Sequence, residues 1–190
     1  MISLLIVLFV AVLCIGYVAS LYNGLVRVRN EVKLAWSNID VLLVQRHDEL
    51  PKLVEVCKQY MQYEGPTLER VVRARADVEA ARNSGNVASV SAAEGALRSG
   101  LNGLYAVAER YPELKANALF QNLQTRISAL ETGIADRREI YNDAVNANNV
   151  RIESFPDAII ARSFNFGPAE PLKFTTEQTS DVDLKLAFGR

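Results

Sequence analysis

Few side chains in this chain have the types and spacing that metal chemistry needs. His47 is the only histidine of the 190 residues, and Asp48 and Glu49 follow it directly. Di-iron helical bundles use a Glu-x-x-His motif on each of two helices, and this chain has no such pair. Adjacent helical residues point to different faces, so these side chains do not converge on one ion. We therefore expect no metal site, and we interpret His47 as a neutral histidine at a helix kink caused by Pro51.

Other catalytic motifs are also missing from the sequence. Cys14 lies in an apolar run and Cys57 lies beyond it, which makes a disulfide between them implausible. Cys57 has no Cys-x-x-Cys partner, so we interpret it as a core residue. Gly95 and Gly100 are not followed by the Lys-Ser or Lys-Thr of a phosphate-binding loop, and no serine lies in a nucleophile elbow. The sequence predicts neither an enzyme nor a cofactor.

The Trp36–Asp40 stretch is the best candidate for a specific contact. Trp36 and Asp40 are one helical turn apart and share a face. We expect Trp36 to pack on the last long helix. We expect Asp40 to pair with Arg137 or Arg138, because buried polar pairs can fix the register between helices. A partner-binding patch is the alternative.

A second polar group consists of asparagines on the first and last long helices. They are expected to face each other near a membrane, either as an inter-helix hydrogen-bond ladder or as a surface for a partner or a second copy. The group comprises Asn23, Asn30, Asn142, Asn146, Asn148 and Asn149.

The N-terminal segment predicts a membrane anchor. Residues 1–26 carry no charged side chain, and residues 2–21 are almost continuously apolar. At ~1.5 Å per residue this stretch is about 30 Å long, the thickness of a bilayer core. A cleaved signal peptide is the rival, with a weak cut site at residues 18–20, but it needs a basic start and a shorter apolar run. We expect an uncleaved anchor at residues 1–22.

The charges after this segment predict its orientation. Arg27, Arg29 and Lys33 follow the apolar run closely. The positive-inside rule places this flank and the following domain in the cytoplasm of a bacterial inner membrane, with a short N-terminus outside. The formal net charge of the whole chain is -1, so no global basic field indicates nucleic-acid binding.

The apolar spacing after the anchor predicts an all-α fold. Apolar residues recur every three or four positions between breaks that contain proline or glycine. The predicted helices run from the anchor to residue 64, then over 67–82, 87–110 and 112–154. Short connections favour a long antiparallel four-helix bundle at residues 23–156, continuous with the single transmembrane helix.

The tail at residues 157–190 differs in composition. It contains Phe164, Phe166, Phe174 and Phe188, which is too aromatic for simple disorder. We expect it to pack as an extended strap on the bundle or on a neighbouring molecule.

Self-association is predicted from the part of the bundle nearest the membrane, which only two helices reach. Their apolar stripe would stay in contact with water unless a second copy or the tail covered it. The stripe consists of Leu25, Val28, Val32, Val145 and Ile152.

Several sequence blocks resemble the LemA family, in order and at plausible distances over residues 1–166. The most recognisable block is Ala-Val-Ala-Glu-Arg-Tyr-Pro-Glu-Leu-Lys-Ala-Asn at residues 106–117. Others are Tyr-Asn-Gly-Leu-Val at 22–26, Ala-Trp-Ser-Asn-Ile-Asp-Val at 35–41 and Arg-His-Asp-Glu-Leu-Pro-Lys-Leu-Val at 46–54. The chain departs from the family pattern at His47, where a second basic residue is usual, and after Gly167.

The resemblance implies a bacterial inner-membrane protein with a cytoplasmic helical bundle and no enzymatic activity to carry over. One relative is associated with magnetosome membranes. We expect a scaffold or adaptor that contacts the lipid bilayer, an unidentified membrane or cytoplasmic protein, and other copies of itself. A membrane-organising or membrane-remodelling oligomer is the alternative.

Overall fold

The computed structural model describes residues 1–173, and all regular secondary structure within them is helical. This confirms the predicted all-α class and the long N-terminal apolar helix. The helices are α1 (Ile2–Tyr60), α2 (Gly65–Ser84), α3 (Val87–Ala108), α4 (Pro112–Ala116), α5 (Ala118–Glu153) and α6 (Asp157–Ser163).

The chain forms two compact units. Unit 1 contains Met1–Gln45 and Ala129–Pro171, and unit 2 contains Arg46–Ser128 and the described residues that follow Pro171. Because α1 and α5 are long, each contributes residues to both units.

One apolar core fills unit 2 and is built from α1, α2, α3, α4 and α5. It includes Leu53 from α1, Val71 from α2, Leu101 from α3, Leu114 from α4 and Ile127 from α5. These residues recur at helical spacing within each element, and burying them together supplies the driving force for the bundle.

The turn between α2 and α3 follows the local sequence. Gly85 adopts a positive φ of 67°, a conformation that glycine takes without steric cost, and ends α2. Asn86 then caps α3, because its side chain accepts a hydrogen bond from the Ser89 N–H at 2.9 Å. The sequence Asn-Ser-Gly-Asn at residues 83–86 predicts a break here, but α2 continues through Ser84, so only Gly85 and Asn86 lie between the two helices.

The predicted fourth helix is divided in two, which corrects the single helix expected over residues 112–154. The side-chain oxygen of Asn117 accepts hydrogen bonds from the N–H groups of Leu119 and Phe120, at 2.9 and 3.0 Å. It therefore acts as the N-cap of α5 and separates it from α4. The Asn117 amide also donates to the Tyr60 hydroxyl at 3.0 Å, which holds the break against the end of α1.

Unit 1 contains the first part of α1, the second part of α5, and α6. Leu25 is completely buried in a small cluster with Ala161 of α6 and Phe166 beyond it. Helix α6 was not predicted as a helix. Seven residues are too few to be helical alone, so its packing against α1 accounts for its formation.

The start of α1 is long and apolar enough to cross a membrane, and it is the one described helix with that property. An 18-residue window has a mean hydropathy of 2.9, and none of it is buried in the protein. The capacity to cross a membrane follows here from the length and composition of the helix alone.

Candidate functional site

Four side chains meet where the apolar part of α1 ends. The ring of Tyr22 lies edge-on to Phe164, with centroids 5.0 Å apart, and to Phe166, at 5.7 Å. The guanidinium of Arg29 lies 4.9 Å from the centre of the Phe166 ring. Edge-to-face rings and a cation over a ring face are favourable geometries. We call these four residues the ring cluster.

A residue with a left-handed backbone conformation, Asn165, brings Phe166 into the ring cluster. Asn165 has a φ of 54°, which asparagine tolerates better than most residues. The chain therefore reverses after α6, and the Phe166 N–H donates to the Ala161 carbonyl at 2.9 Å. This is the Schellman arrangement, which usually includes an apolar contact between the same two positions. Phe166 and Ala161 make that contact in the small cluster around Leu25.

The segment after Phe166, residues 167–171, lies along α5 as a strap. Asn149 binds the backbone of Ala169 twice: its amide donates to the carbonyl at 2.9 Å, and its side-chain oxygen accepts from the N–H at 2.8 Å. The Tyr141 hydroxyl donates to the Glu170 carbonyl at 2.8 Å. Burial, together with the charge of Glu170, raises the pKa of Tyr141, so its hydroxyl keeps the donated proton.

The strap corrects part of the predicted asparagine ladder. The amide of the buried Asn148 donates to Asn149 and to the Gly167 carbonyl, at 3.1 and 3.4 Å. The side chains of Asn148 and Asn149 therefore bind the strap. For these two residues, the predicted hydrogen-bond ladder to Asn23 or Asn30 is wrong. The tail packs on its own chain as far as it is described, while Phe174 and Phe188 lie outside the described residues.

Gly24 of α1 lies against Arg151 of α5 beside the ring cluster. A Cβ atom at Gly24 would overlap the Arg151 guanidinium, which is the end of a flexible side chain, so a larger residue there would displace that guanidinium. Arg151 in turn donates to the carboxylate of Asp157 at 3.1 Å, at the start of α6. This arrangement joins α1, α5 and α6 of unit 1.

The five predicted contact residues all lie in unit 1. The ring of Trp36 lies 5.6 Å from that of Tyr141 on α5, at an interplanar angle of 60°. The other four lie on the same two helices: the half-buried Asp40 on α1, and the exposed Arg137, half-buried Arg138 and half-buried Asn142 on α5. The pairing of Asp40 with Arg137 or Arg138 stays a prediction.

A buried ion pair in unit 2 was not predicted. The guanidinium of Arg46 on α1 donates to the carboxylate of Glu94 on α3, and their side chains are only 2% and 3% exposed. One turn along α1, Glu49 accepts from Arg126 of α5 and, at 3.1 Å, from Lys52. The sequence held a weak signal, since Arg46 and Glu49 occupy apolar positions of the helical pattern.

Pro51 lies inside α1 and leaves the carbonyl of His47 without a helical N–H partner. Arg75 of α2 supplies that partner, because its Nε donates to the His47 carbonyl at 3.0 Å. Its terminal nitrogen also contacts the Nε2 atom of His47. Burial and the charge of Arg75 lower the pKa of His47, and Glu79, 3.6 Å away, opposes them. His47 is therefore neutral near pH 7 and accepts at Nε2.

Cys57, the cysteine of unit 2, is buried. Burial raises the pKa of Cys57 to about 12, so its thiol stays protonated and is a poor nucleophile. Within residues 1–173, no three His, Cys, Asp or Glu side chains are grouped so as to hold a metal ion. The polar side chains described above, Arg46, Glu49 and Arg75, connect helices of this unit.

Comparison with known proteins gives a consistent family. Residues 35–188 match the LemA family. The magnetosome proteins MamQ 1 and MamQ 2 of Paramagnetospirillum magneticum are each 24% identical over 182 residues, covering 82% of this chain and 67% of theirs. Protein LemA of Metamycoplasma hominis is 26% identical over 166 residues, covering 85% of this chain and 73% of its own.

Proposed function

Because the chain belongs to the LemA family, we propose that it is a membrane-anchored, non-enzymatic scaffold or adaptor. The observation that carries this proposal is the unburied apolar start of α1. Residues 2–20 are all exposed, and sixteen of these nineteen residues are apolar. This surface is strongly unfavourable in water, whereas a bilayer accommodates it. The buried polar groups of unit 2 and the strap contacts of unit 1 hold helices together, which suits a rigid presenting surface.

Attachment is tested by treating native membranes with alkaline carbonate and then analysing the protein by mass spectrometry. The anchored chain stays in the pellet and yields peptides from before Ser20. The matched control replaces Leu8 and Val12 with arginine, which should move the protein to the supernatant because charges at mid-bilayer are costly. A mature chain that begins at Leu21 would contradict the proposal.

The scaffold role is tested by photo-crosslinking in native membranes. A photoreactive residue replaces Val72, an exposed apolar residue of α2, or the exposed Lys33 of α1. Discrete adducts with the same few proteins support a scaffold, and the buried Leu101 is the control position that should give none. An absence of adducts at every exposed position tested counts against it.

A membrane-organising oligomer is the second candidate, favoured by the similarity to two magnetosome proteins. Electron microscopy of vesicles reconstituted with increasing amounts of protein distinguishes a scaffold from a membrane-organising oligomer. A scaffold leaves vesicle shape unchanged at all densities, whereas a membrane-organising oligomer changes curvature above a threshold density.

A further inference from the structure

We propose that the segment from Phe155 to Phe164, which contains α6, is a second membrane contact that rests in the bilayer interface beside the anchor. The occupant of this surface is lipid, at the boundary between headgroups and acyl chains. The inference rests on the proposed anchoring and goes beyond it, since a single anchor does not require a second contact.

The position of Tyr22 sets the depth of this segment. If residues 2–21 fill the hydrocarbon core, Tyr22 lies at the interface, where tyrosine rings are enriched. The Phe164 ring contacts Tyr22 with centroids 5.0 Å apart. Phe164 also lines an open groove whose other wall is α1 from Cys14 to Asn23. Cys14 to Ala19 of that wall lie in the proposed membrane span, so the groove places Phe164 beside the end of the anchor.

The exposed side of the segment has the composition of an interfacial contact. Phe155, Ile159 and Phe164 are 84%, 58% and 55% exposed, which is unusual for such large apolar side chains gathered in ten residues. The opposite side of α6 is already occupied, because Ile160 and Ala161 pack on the Leu25 cluster. Packing within the chain therefore does not account for the exposed Phe155 and Ile159, and it covers only part of the Phe164 ring, which contacts Tyr22.

The charges of the segment suit the same placement. Asp157 is paired with Arg151, which neutralises the acidic residue of α6. Arg162 of α6 and Arg27 of α1 are exposed. Basic side chains beside exposed aromatic and aliphatic ones are typical of helices that lie in the headgroup region of anionic membranes.

Site-directed spin labelling of the full chain in lipid nanodiscs tests the proposal. Single cysteines replace Ile159 or Phe164 in a Cys14→Ala background, and the buried Cys57 is left in place. Collision with oxygen, which concentrates in lipid, is compared with collision with a water-soluble nickel complex. Ile140 of α5 is the matched control, since it is also an isoleucine of unit 1 and is 60% exposed. Val10→Cys reports on the anchor itself.

The expected result is oxygen-dominated collision at Ile159→Cys and Phe164→Cys, with nickel-dominated collision at Ile140→Cys. Nickel-dominated collision at Ile159→Cys or Phe164→Cys, with Val10→Cys still in lipid, overturns the inference and leaves the anchor intact. Low collision with both reagents at position 159 or 164 also overturns it, since that result indicates a protein contact. If Val10→Cys is nickel-dominated, the anchor fails, and the inference fails with it.

A second variant covers the case in which Phe164→Cys does not fold. Phe164→Trp in a Trp36→Phe background keeps a large ring against Tyr22. Lipids brominated on their acyl chains should quench its fluorescence, and unquenched fluorescence overturns the proposal.

Discussion

Arg75 replaces the backbone hydrogen bond that Pro51 removes from α1. Its Nε lies 3.0 Å from the His47 carbonyl, the group that a residue with an N–H at position 51 would satisfy. We expect Arg75→Met to lower the free energy of unfolding by about 1–2 kcal/mol, because the half-buried carbonyl loses its partner. Urea unfolding in mild detergent, followed by circular dichroism, measures the change.

A double-mutant cycle makes this prediction specific. In a Pro51→Ala background the restored N–H bonds the His47 carbonyl, so Arg75→Met should cost less there, with a coupling energy of about 1 kcal/mol. Arg73→Met is the control, since Arg73 is on the same helix and its ion pair with Glu69 is exposed. Equal costs of Arg75→Met in both backgrounds would show that Arg75 does not compensate for the proline.

The titration of His47 gives a second test at this scale. Its pKa in the folded protein lies below the ordinary 6.5, through burial first and the charge of Arg75 second. The unfolded chain therefore binds more protons below pH 6.5, and the free energy of unfolding should fall as pH drops from 6.5 through the folded pKa. Well above pH 6.5, where His47 is deprotonated in both states, this group contributes no slope.

NMR follows this titration without ambiguity, because the chain has one histidine. Arg75→Met should raise the pKa of His47 while leaving the lowering due to burial, and Arg73→Met should not change it. A wild-type pKa at or above 6.5 contradicts the structure around His47.

Individual residues could be predicted from sequence where their role is local. The buried state expected for Cys57 agrees with the structure, because a cysteine at an apolar helical position needs no distant information. The lowered pKa of His47 depends in part on Arg75 of α2, 28 positions away, which the sequence pattern does not identify. The Arg46–Glu94 pair joins residues 48 positions apart, so recognising it requires the register between α1 and α3. Helical periodicity does not supply that register.

At the scale of elements, Asn149 is the main attachment of the strap to α5. We expect Asn149→Ala to release residues 167–171, because it removes two hydrogen bonds to the Ala169 backbone, worth about 1–2 kcal/mol together. Hydrogen exchange read by mass spectrometry should show faster exchange at the Ala169 amide. Asn146→Ala is the control, since Asn146 is exposed on the same helix. Unchanged exchange at Ala169 would mean that Tyr141 and Asn148 hold the strap without Asn149.

The ends of helices were predictable where glycine or a capping residue marks them. They were missed where contacts with distant residues determine them. Gly85 and Asn86 mark the α2–α3 break through local φ and capping preferences, although the loop expected over residues 83–86 began two residues too early. Asn117 was missed as an N-cap because the apolar stripe continues through it. Helix α6 was missed because it depends on packing against Leu25, whose distance from it in sequence exceeds 130 residues.

At the scale of the whole molecule, the structure changes the argument for self-association. Leu25, Val28 and Val145 were expected to need a second copy, yet all three are buried within one chain. Helix α6 and Phe166 provide part of that cover. This agrees with the alternative expectation that the tail covers the apolar stripe. Self-association stays a prediction, and it must now use a surface that the chain leaves exposed.

Leu34 and Val41 provide such a surface, since both are exposed and lie seven residues apart on one stripe of α1. Membrane confinement raises the effective concentration of copies. We expect Leu34→Cys and Val41→Cys to form crosslinked dimers in native membranes. The exposed Lys33→Cys, about 100° around the helix from Leu34, is the control that should crosslink less. Monomer alone at all three positions would reject the oligomer.

The last prediction concerns the side of the membrane on which the helical units lie. Arg27, Arg29 and Lys33 follow the apolar run of residues 2–21 within about three and a half turns of α1, and positively charged flanks are retained on the cytoplasmic side. A C-terminal fluorescent-protein fusion should therefore be bright, and a C-terminal alkaline phosphatase fusion inactive.

The charges themselves can be tested, because Arg27 and Lys33 are exposed and make no contribution to the ring cluster. Replacing both with glutamine while placing lysine at Ser3 shifts the balance of basic residues toward the N-terminal side. Part of the population should then invert and show phosphatase activity. Arg29 is left unchanged because its guanidinium lies over Phe166, so that loss of packing does not confuse the result. Strong phosphatase activity in the wild-type fusion would reverse the assignment and place both helical units outside the cytoplasm.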